Sequence, residues 1–209
     1  MQPSSEYEQV INDLRHAYDQ RAEERDGREK QSWKVEERAR FLALLRQEGK
    51  RRLLEIGAGP GRDSLFFQES GLDVVSTDLS PEHVRLCRAK GLTGYVMDFL
   101  NLDFPDDSFD AVYALNCLLH VPKRDLPSVL REIQRVLGPT GLFYMGVYGG
   151  LDREGTWPED VYEPKRFFSY YTDEQMQEAV GQFFETVYFK AIPLDEGPQH
   201  FQSMILRRA

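Results

Sequence analysis

Leu-Leu-Glu-Ile-Gly-Ala-Gly-Pro-Gly at residues 53–61 carries a short apolar run straight into a glycine turn. Such a run suits a buried strand, and the turn after it can bring backbone N–H groups against a small ligand. Gly57 permits the tight turn and Gly59 the close approach of a ligand, while Gly61 relieves crowding where a helix enters. Arg62 and Asp63 open that helix. The spacing is Gly-x-Gly-x-Gly, and the dinucleotide fingerprint would need glycine where Arg62 stands. The lysine of a phosphate-binding P-loop is also absent.

On both sides of the turn the pattern is one of short apolar runs separated by helical segments. Strands are predicted at Arg52–Ile56, Asp73–Thr77, Thr93–Met97, Ala111–Leu115 and Leu142–Val147, with helices at Asp63–Ser70, Pro81–Lys90 and Lys123–Leu137. This order predicts a layered α/β sheet with right-handed crossovers. Ser80 caps a helix whose first residue, Pro81, needs no backbone donor; Gly91 supplies its exit. Gly138-Pro139 stops the helix that ends at Leu137, and Thr172 with Gln175 forms a capping box for a helix through Val180. Two further strands, Phe184–Ala191 and Phe201–Leu206, are joined through Pro193, Gly197 and Pro198. Their short connection predicts an antiparallel pair, so the sheet is mixed. The first fifty residues read as two helices, Tyr7–Arg25 and Trp33–Gln47. In the second, Val35, Ala39, Leu42 and Leu45 or Arg46 form the inward stripe, and Gly49 offers an exit. Tyr18 and Trp33, at the borders of these segments, are placed to cover a pocket or to dock on the core.

With 209 residues and 41% hydrophobic content the chain can bury one substantial core, which predicts one domain with a small cap. The cap is assigned to residues 1–50 and the core to 51–209. No stretch reaches the roughly 18 apolar residues of a membrane span, and no basic segment leads an N-terminal apolar run, so a soluble cytoplasmic protein is expected. Cys87 and Cys117 suit reduced, buried thiols. His16, His83, His120 and His200 are scattered, and no metal site is expected. A net charge of −9 opposes nucleic-acid binding. The local bases Arg25, Arg28, Lys30, Lys34, Arg38 and Arg40 alternate with glutamates and read as a solvated helical face.

Two acidic stations follow the glycine turn. Asp78, closing the second apolar run, can accept from adjacent ribose hydroxyls, whether of a nicotinamide or an adenosyl cofactor; its local alternative is an Asx turn or a helix-start contact. Asp98, in Met97-Asp98-Phe99-Leu100, can accept from an adenine amine while Met97, Phe99 or Leu100 sandwiches the base. Three stations at the carboxyl ends of three successive strands match the edge where open parallel sheets bind ligands.

At this point the chain resembles the class I S-adenosylmethionine-dependent methyltransferases, of the small-molecule, type 11-like kind. Leu-Glu-Ile-Gly-Ala-Gly-Pro-Gly at 54–61 is similar to the family's first motif, and Val-Ser-Thr-Asp at 75–78 to its second-strand acidic motif. Asp98-Phe99 resembles the adenine segment, residues 102–112 the entry to the fourth strand, and residues 135–141 the turn before the fifth. The resemblance implies a Rossmann-like, mixed seven-stranded sheet with helices on both faces and an N-terminal helical cap. It implies S-adenosyl-L-methionine as cofactor, held by Tyr18, Glu55, Gly57, Ala58, Gly59, Gly61, Asp78, Leu79, Asp98, Phe99 and Asn116. Asn116 is followed by Cys117-Leu118-Leu119 in place of the Asn-Pro-Pro-Tyr-type motif of nucleobase amino-group methylases. The implied reaction is methyl transfer to a small-molecule acceptor by direct in-line attack. The competing reading is a noncatalytic adenosyl-cofactor-binding or protein-interaction module, in a monomer or homodimer.

His120 follows the fourth strand and titrates near neutral pH, which makes it the candidate general base; its bland role is to hold the turn through Pro122. Residues 148–171 form a long polar connection expected to shape the substrate pocket. Within it Arg153 and Arg166 can recognise a carboxylate or phosphate, and Trp157 and Tyr162 can enclose an apolar body. Glu154 and Asp160 would instead favour a cationic amine.

Overall fold

The computed structural model describes residues 5–27, 29–194, 197 and 199–209; Arg28 and Pro198 lie outside them. In chain order the described elements are α1 (Ser5–Asp19), α2 (Ala22–Asp26), α3 (Ser32–Gln47), β1 (Arg52–Ile56), α4 (Arg62–Glu69), β2 (Asp73–Asp78), α5 (Pro81–Ala89), β3 (Thr93–Val96), β4 (Phe109–Leu115), α6 (Leu126–Val136), β5 (Leu137–Gly149), β6 (Arg153–Thr156), β7 (Phe167–Tyr170), α7 (Asp173–Gly181), β8 (Glu185–Pro193) and β9 (His200–Arg207). A single 3₁₀ turn spans Leu118–His120.

Seven strands form one sheet in the order β3-β2-β1-β4-β5-β9-β8. β1 through β5 are mutually parallel, and β9 lies antiparallel to both β5 and β8. This is the mixed Rossmann-like sheet that the strand and helix order predicted. The chain reverses its direction of travel across the sheet between β1 and β4, which opens a crevice at their carboxyl ends.

Alternation along the strands assigns the two faces. Leu53, Ala111, Tyr113, Leu142 and Tyr144 pack against Phe41, Leu42 and Leu45 of α3 and Phe67 of α4. Leu54, Ile56, Val112, Ala114, Phe143 and Met145 pack on the other side, against Val129, Leu130 and Ile133 of α6 and Met176 and Val180 of α7. Tyr113 and Tyr144 stack at 4.7 Å between ring centres, adding a directional contact to the buried area.

The expected helix boundaries rest on observed caps. Ser80 Oγ accepts from His83 N at the start of α5, and Thr172 and Gln175 exchange both bonds of the capping box. Both cysteines are free and buried. No helix among the described residues is long and apolar enough to cross a membrane.

Several expectations are corrected. The helix expected over Tyr7–Arg25 breaks after Asp19, whose carboxylate accepts from the Ser80 hydroxyl and from Glu82 N at the start of α5. Favourable interaction with the positive end of that helix holds the break in place. The α3 stripe is Glu37, Phe41, Leu42 and Leu45, while Val35 and Ala39 face solvent. Glu37 goes inward because Ser203 and Tyr188 hydroxyls donate to it from the sheet, at 2.6 and 3.1 Å. α3 therefore belongs to the core layer, and the covering part of the first fifty residues is α1 and α2. β5 begins at Leu137, which pairs with Phe109 ahead of a bulge. The connection after β5 holds an antiparallel pair, β6 with β7. Its first strand, Arg-Glu-Gly-Thr, has no apolar alternation to announce it.

Thr172→Ala removes the hydroxyl half of the α7 box and should cost about 1 kcal/mol of stability in urea unfolding, while Thr172→Ser retains it.

Candidate active site

The carboxyl ends of β1, β2, β3 and β4 surround a cavity of about 650 Å³, counting its open mouth, with α1 laid across it. Its wall runs from Gly57 and Gly59 through Asp78, Leu79 and His83 to Met97, Asp98 and Phe99, and closes at Asn116, Cys117 and His120. The three polar stations expected from the sequence therefore share one space. A second, wider cavity of about 1270 Å³ continues from Gly57 and Asn116 past Glu55, Lys30 and Asp63, and out to Lys34, Leu119, Tyr148, Arg166 and Phe168.

The glycine turn is shaped by packing on one side and by space on the other. Gly57 (φ 62°) and Gly61 (φ 81°) are pressed against the body of the protein: a Cβ would lie 2.3 Å from Cys117 Cβ at the first and 2.7 Å from Leu92 Cδ1 at the second. A Cβ at Gly59 would meet nothing within 4 Å and would project into open space. Gly59 is thus the glycine that leaves room for a ligand. Gly61 lines neither cavity, so its part in cofactor binding is to let the helix approach.

Asp78 holds this turn in place. Its Oδ2 accepts from Gly59 N at 2.7 Å, and its Oδ1 accepts from Ser80 N at 2.9 Å and lies 3.2 Å from His83 Nδ1. The Asx-type contact at Ser80 and the cavity-facing role coexist. Burial works against ionisation here, but the His83, Ser80 and Gly59 bonds outweigh it and hold the carboxyl below its usual range. Three of a carboxylate's roughly four lone-pair positions are in use, leaving room for one ribose hydroxyl beside them. Asp98 accepts from the Tyr7 hydroxyl on α1 and, at 3.3 Å, from Leu100 N.

At the other end, Glu55 is buried and accepts from the Ser64 hydroxyl, itself bonded by Ser76 at 2.7 Å. Burial, with the Asp63 charge close by, pushes its carboxyl up to about 8. Asp63 is paired with Lys30 and with Arg38, the latter at 2.7 Å. Ala58 lines this second cavity, while its own N–H is spent on Thr77 O at 3.0 Å.

His120 sits where both cavities meet. Its Nδ1 lies 2.7 Å from the Phe167 carbonyl, which can only accept, so Nδ1 carries the proton. Nε2 then accepts from the Tyr18 hydroxyl at 2.6 Å. Arg166 donates to the same hydroxyl at 3.2 Å and grips Asp160 through two bonds of 2.8 Å. Its guanidinium stacks 3.8 Å from the Tyr162 ring centre, and Arg25 bonds the Tyr162 hydroxyl at 3.0 Å while lying over Tyr18. The result is a latch in which α1 and α2 meet the 148–171 connection above the cavity mouth. Burial drives the His120 imidazole down to about 3, so it is neutral in the folded protein.

Of the four candidate substrate residues, Arg166 alone lines a cavity, and its charge is satisfied by Asp160. Tyr162 is buried within the latch. Arg153 stacks on Trp157 at 5.0 Å, and neither lines either cavity. Tyr148 and Phe168, at the two ends of the connection expected to shape the pocket, line the site, whereas sequence reasoning passed over Tyr7, Arg25, Lys34 and His83, which also line it. His83 carried a signal, three residues after the Ser80 cap and therefore on the first turn beside Asp78. The others reach the site only through tertiary packing.

Residues 54–145 match the model of a family described as a methyltransferase domain. A sterol 24-C-methyltransferase of Aspergillus fumigatus is 37% identical over 109 residues, covering 48% of this chain and 28% of that protein. Phosphoethanolamine N-methyltransferase 3 of Arabidopsis thaliana is 24% identical over 174 residues, covering 80% of this chain and 34% of that protein. The chain thus spans about a third of the length of these curated relatives. Among solved structures, the 1,6-didemethyltoxoflavin-N1-methyltransferase of Burkholderia thailandensis, with bound 1,6-didemethyltoxoflavin and S-adenosylhomocysteine, superposes with a TM-score of 0.76. It shares 22% identity and covers 100% of this chain and 93% of that one.

The depressed His120 value carries a sign for stability. Between pH 6.5 and about 3 the unfolded chain binds a proton at this position that the native protein does not, so stability falls as pH falls through that window. The slope from this residue approaches about 1.4 kcal/mol per pH unit, and urea unfolding of His120→Gln should lose less stability than wild type between pH 6 and pH 4, by about 2.5 kcal/mol over the two units.

Proposed function

The chain belongs to the class I S-adenosylmethionine-dependent methyltransferases, and from that premise we propose that it transfers a methyl group to a small-molecule acceptor. The observation that supports this reading most directly is the joining of Gly59, Asp78 and Asp98 along one cavity, with open space over Gly59. An adenosyl ligand fits those groups: one ribose hydroxyl donating to Asp78, adenine against Asp98, Phe99 and Met97, and the methionyl end between the glycine turn and Glu55. The sulfonium of the bound cofactor supplies an activated methyl group with a neutral thioether as its leaving group.

What the chain contributes is alignment and exclusion of water. α1 covers the adenosyl cavity, anchored by Tyr7 on Asp98 and Asp19 on Ser80. The Tyr18–His120–Arg166 latch closes the boundary between cofactor and acceptor. His120 serves there as a neutral acceptor that fixes Tyr18, because a base poised for catalysis would titrate nearer the working pH. The acceptor enters the second cavity beside Asn116, Tyr148 and Phe168.

The relatives' names place sterol carbon, an amino alcohol nitrogen and a heterocyclic nitrogen among the acceptors that this family serves. None of these is carried over to this chain. The same reading keeps the protein in the cytoplasm as a monomer or homodimer, with nucleic acid disfavoured by the net charge of −9.

Calorimetric titration should find specific binding of S-adenosylmethionine and S-adenosylhomocysteine and none comparable for nicotinamide dinucleotides. Asp78→Ala should weaken adenosyl binding by about tenfold or more, the cost of a charged hydrogen bond and of a loosened turn. Unchanged affinity in the folded variant would reject the ribose assignment.

A further inference from the structure

The acceptor end of the second cavity holds a group of side chains that the cofactor does not need. Lys34, on α3, donates from Nζ to the Tyr148 hydroxyl at 2.9 Å, and Tyr148 stands at the end of β5. Asn116 stands on the same cavity wall, and its buried Oδ1 has no partner among the described residues. The Tyr148 oxygen accepts from Lys34, and its own proton is left to be given into the cavity.

Asn116 is held in this position by a backbone bond in an uncommon conformation. It has φ 56°, a left-handed conformation that only a few per cent of non-glycine residues adopt. Its N–H is secured to Gly146 O at 2.7 Å, which locks the side chain beside Tyr148. Strained backbone of this kind clusters at functional sites.

Lys34 is walled by rings, with Trp33, Tyr148 and Phe201 centred 5.0, 5.1 and 5.8 Å from Nζ. The charged groups that bear on it are Arg25 from α2 and Asp63 from α4. Asp63 is already shared by Lys30 and Arg38. Glu55 is pushed toward its neutral form, and Asp160 is bound to Arg166. Of the acids that line this cavity, Glu55 and Asp63 are thus spent while Glu29 stays on the wall, and burial brings the Lys34 ammonium down to about 8, which leaves it charged at neutral pH. Inside an acidic protein this corner favours an anion.

We infer that Lys34, Tyr148 and Asn116 form the acceptor station, and that the acceptor is a small, flat, weakly acidic oxygen compound bound as its oxyanion. This deepens the methyltransferase reading and rests on it. The Lys34 ammonium and the Tyr148 hydroxyl donate to the oxyanion. Asn116 Oδ1 takes an adjacent N–H or O–H where the acceptor has one, and Phe168 and Leu119 line the wall along its apolar body. The acceptor's proton goes to solvent on binding. An oxygen lone pair then forms the new O–C bond as the methyl's bond to sulfur breaks, with that electron pair remaining on sulfur. Anion and sulfonium become two neutral products, so the transfer annihilates charge and is favoured wherever the bound pair is shielded from water.

The station can be read without knowing the natural acceptor. 4-Nitrophenol, whose anion is yellow, is titrated against the protein at saturating S-adenosylhomocysteine and again without it. The expected result is binding with the bound phenol ionising about one unit or more below the free compound, a tenfold gain for the anion. Lys34→Met should remove that shift, Lys34→Arg should keep most of it, and Tyr148→Phe should reduce it in part. No binding, an unshifted ionisation, a shift that survives Lys34→Met, or stronger binding of benzylammonium would each overturn the station. So would Lys34→Met weakening S-adenosylhomocysteine more than the phenol, which would place the lysine on the cofactor. Absence of S-adenosylhomocysteine binding in the unaltered protein would instead overturn the cofactor reading, and the titration without it still decides the station.

Discussion

The Asp78 carboxylate is the interaction on which the site depends. It takes Gly59 N from the turn after β1 and Ser80 N from the turn after β2, and it braces His83 on α5. One charged group therefore fixes three backbone segments that would otherwise leave donors unpaired in a buried crevice. Lost ionisation would loosen the turn, the start of α5 and the ribose position together. That is why a residue that reads simply as a cofactor contact is as much a structural keystone.

Closure is built from the same economy of shared partners. α1 and α2 add little to the sheet core, which α3, α4, α6 and α7 already cover. What fastens them is a small apolar cluster of Val10 and Leu14 with Phe167 and Leu79, together with polar contacts: Tyr7 to Asp98, Asp19 to Ser80, Lys90 to Asp26 at 2.9 Å, and Arg21 to Val161 O at 2.8 Å. In the proposed reaction a cofactor and its acceptor would both pass this cover, and the Tyr18–His120–Arg166 latch is where it meets the rest of the protein.

The sheet was legible because its strands are short apolar runs with turn residues at their ends, and because Ser80, Thr172 and Gly61 punctuate helices by local chemistry. That Gly59, Asp78 and Asp98 would meet in one cavity was legible for the same reason, since each lies at the end of such a strand. Glu37 was misplaced because hydrophobic periodicity has no term for a carboxylate that Ser203 and Tyr188 will satisfy. β6 was missed because its four residues carry no alternation. The Tyr7 contact with Asp98 spans 91 positions, and no spacing rule reaches that far. Arg166 looked available for a substrate because its partner Asp160, six residues earlier, and the stacking ring of Tyr162 come together only once the connection folds back.

The acceptor end extends this point about charge. A chain of net charge −9 offers no long-range attraction to an anion, so selection of one has to be made at short range, after entry. The arrangement around Lys34 does this by pairing rather than by numbers: Glu55 is pushed toward its neutral form, Asp63 is shared by two cations and Asp160 is clamped by Arg166, so that Glu29 is the carboxylate left on the cavity wall with the Lys34 ammonium and the Tyr148 hydroxyl. The cofactor's own positive charge enters the same space from the other side. An acceptor that is anionic at the reacting atom is then attracted by both the protein and the cofactor, whereas a protonated amine is repelled by both. The polarity of the site follows from which charges the fold has already used.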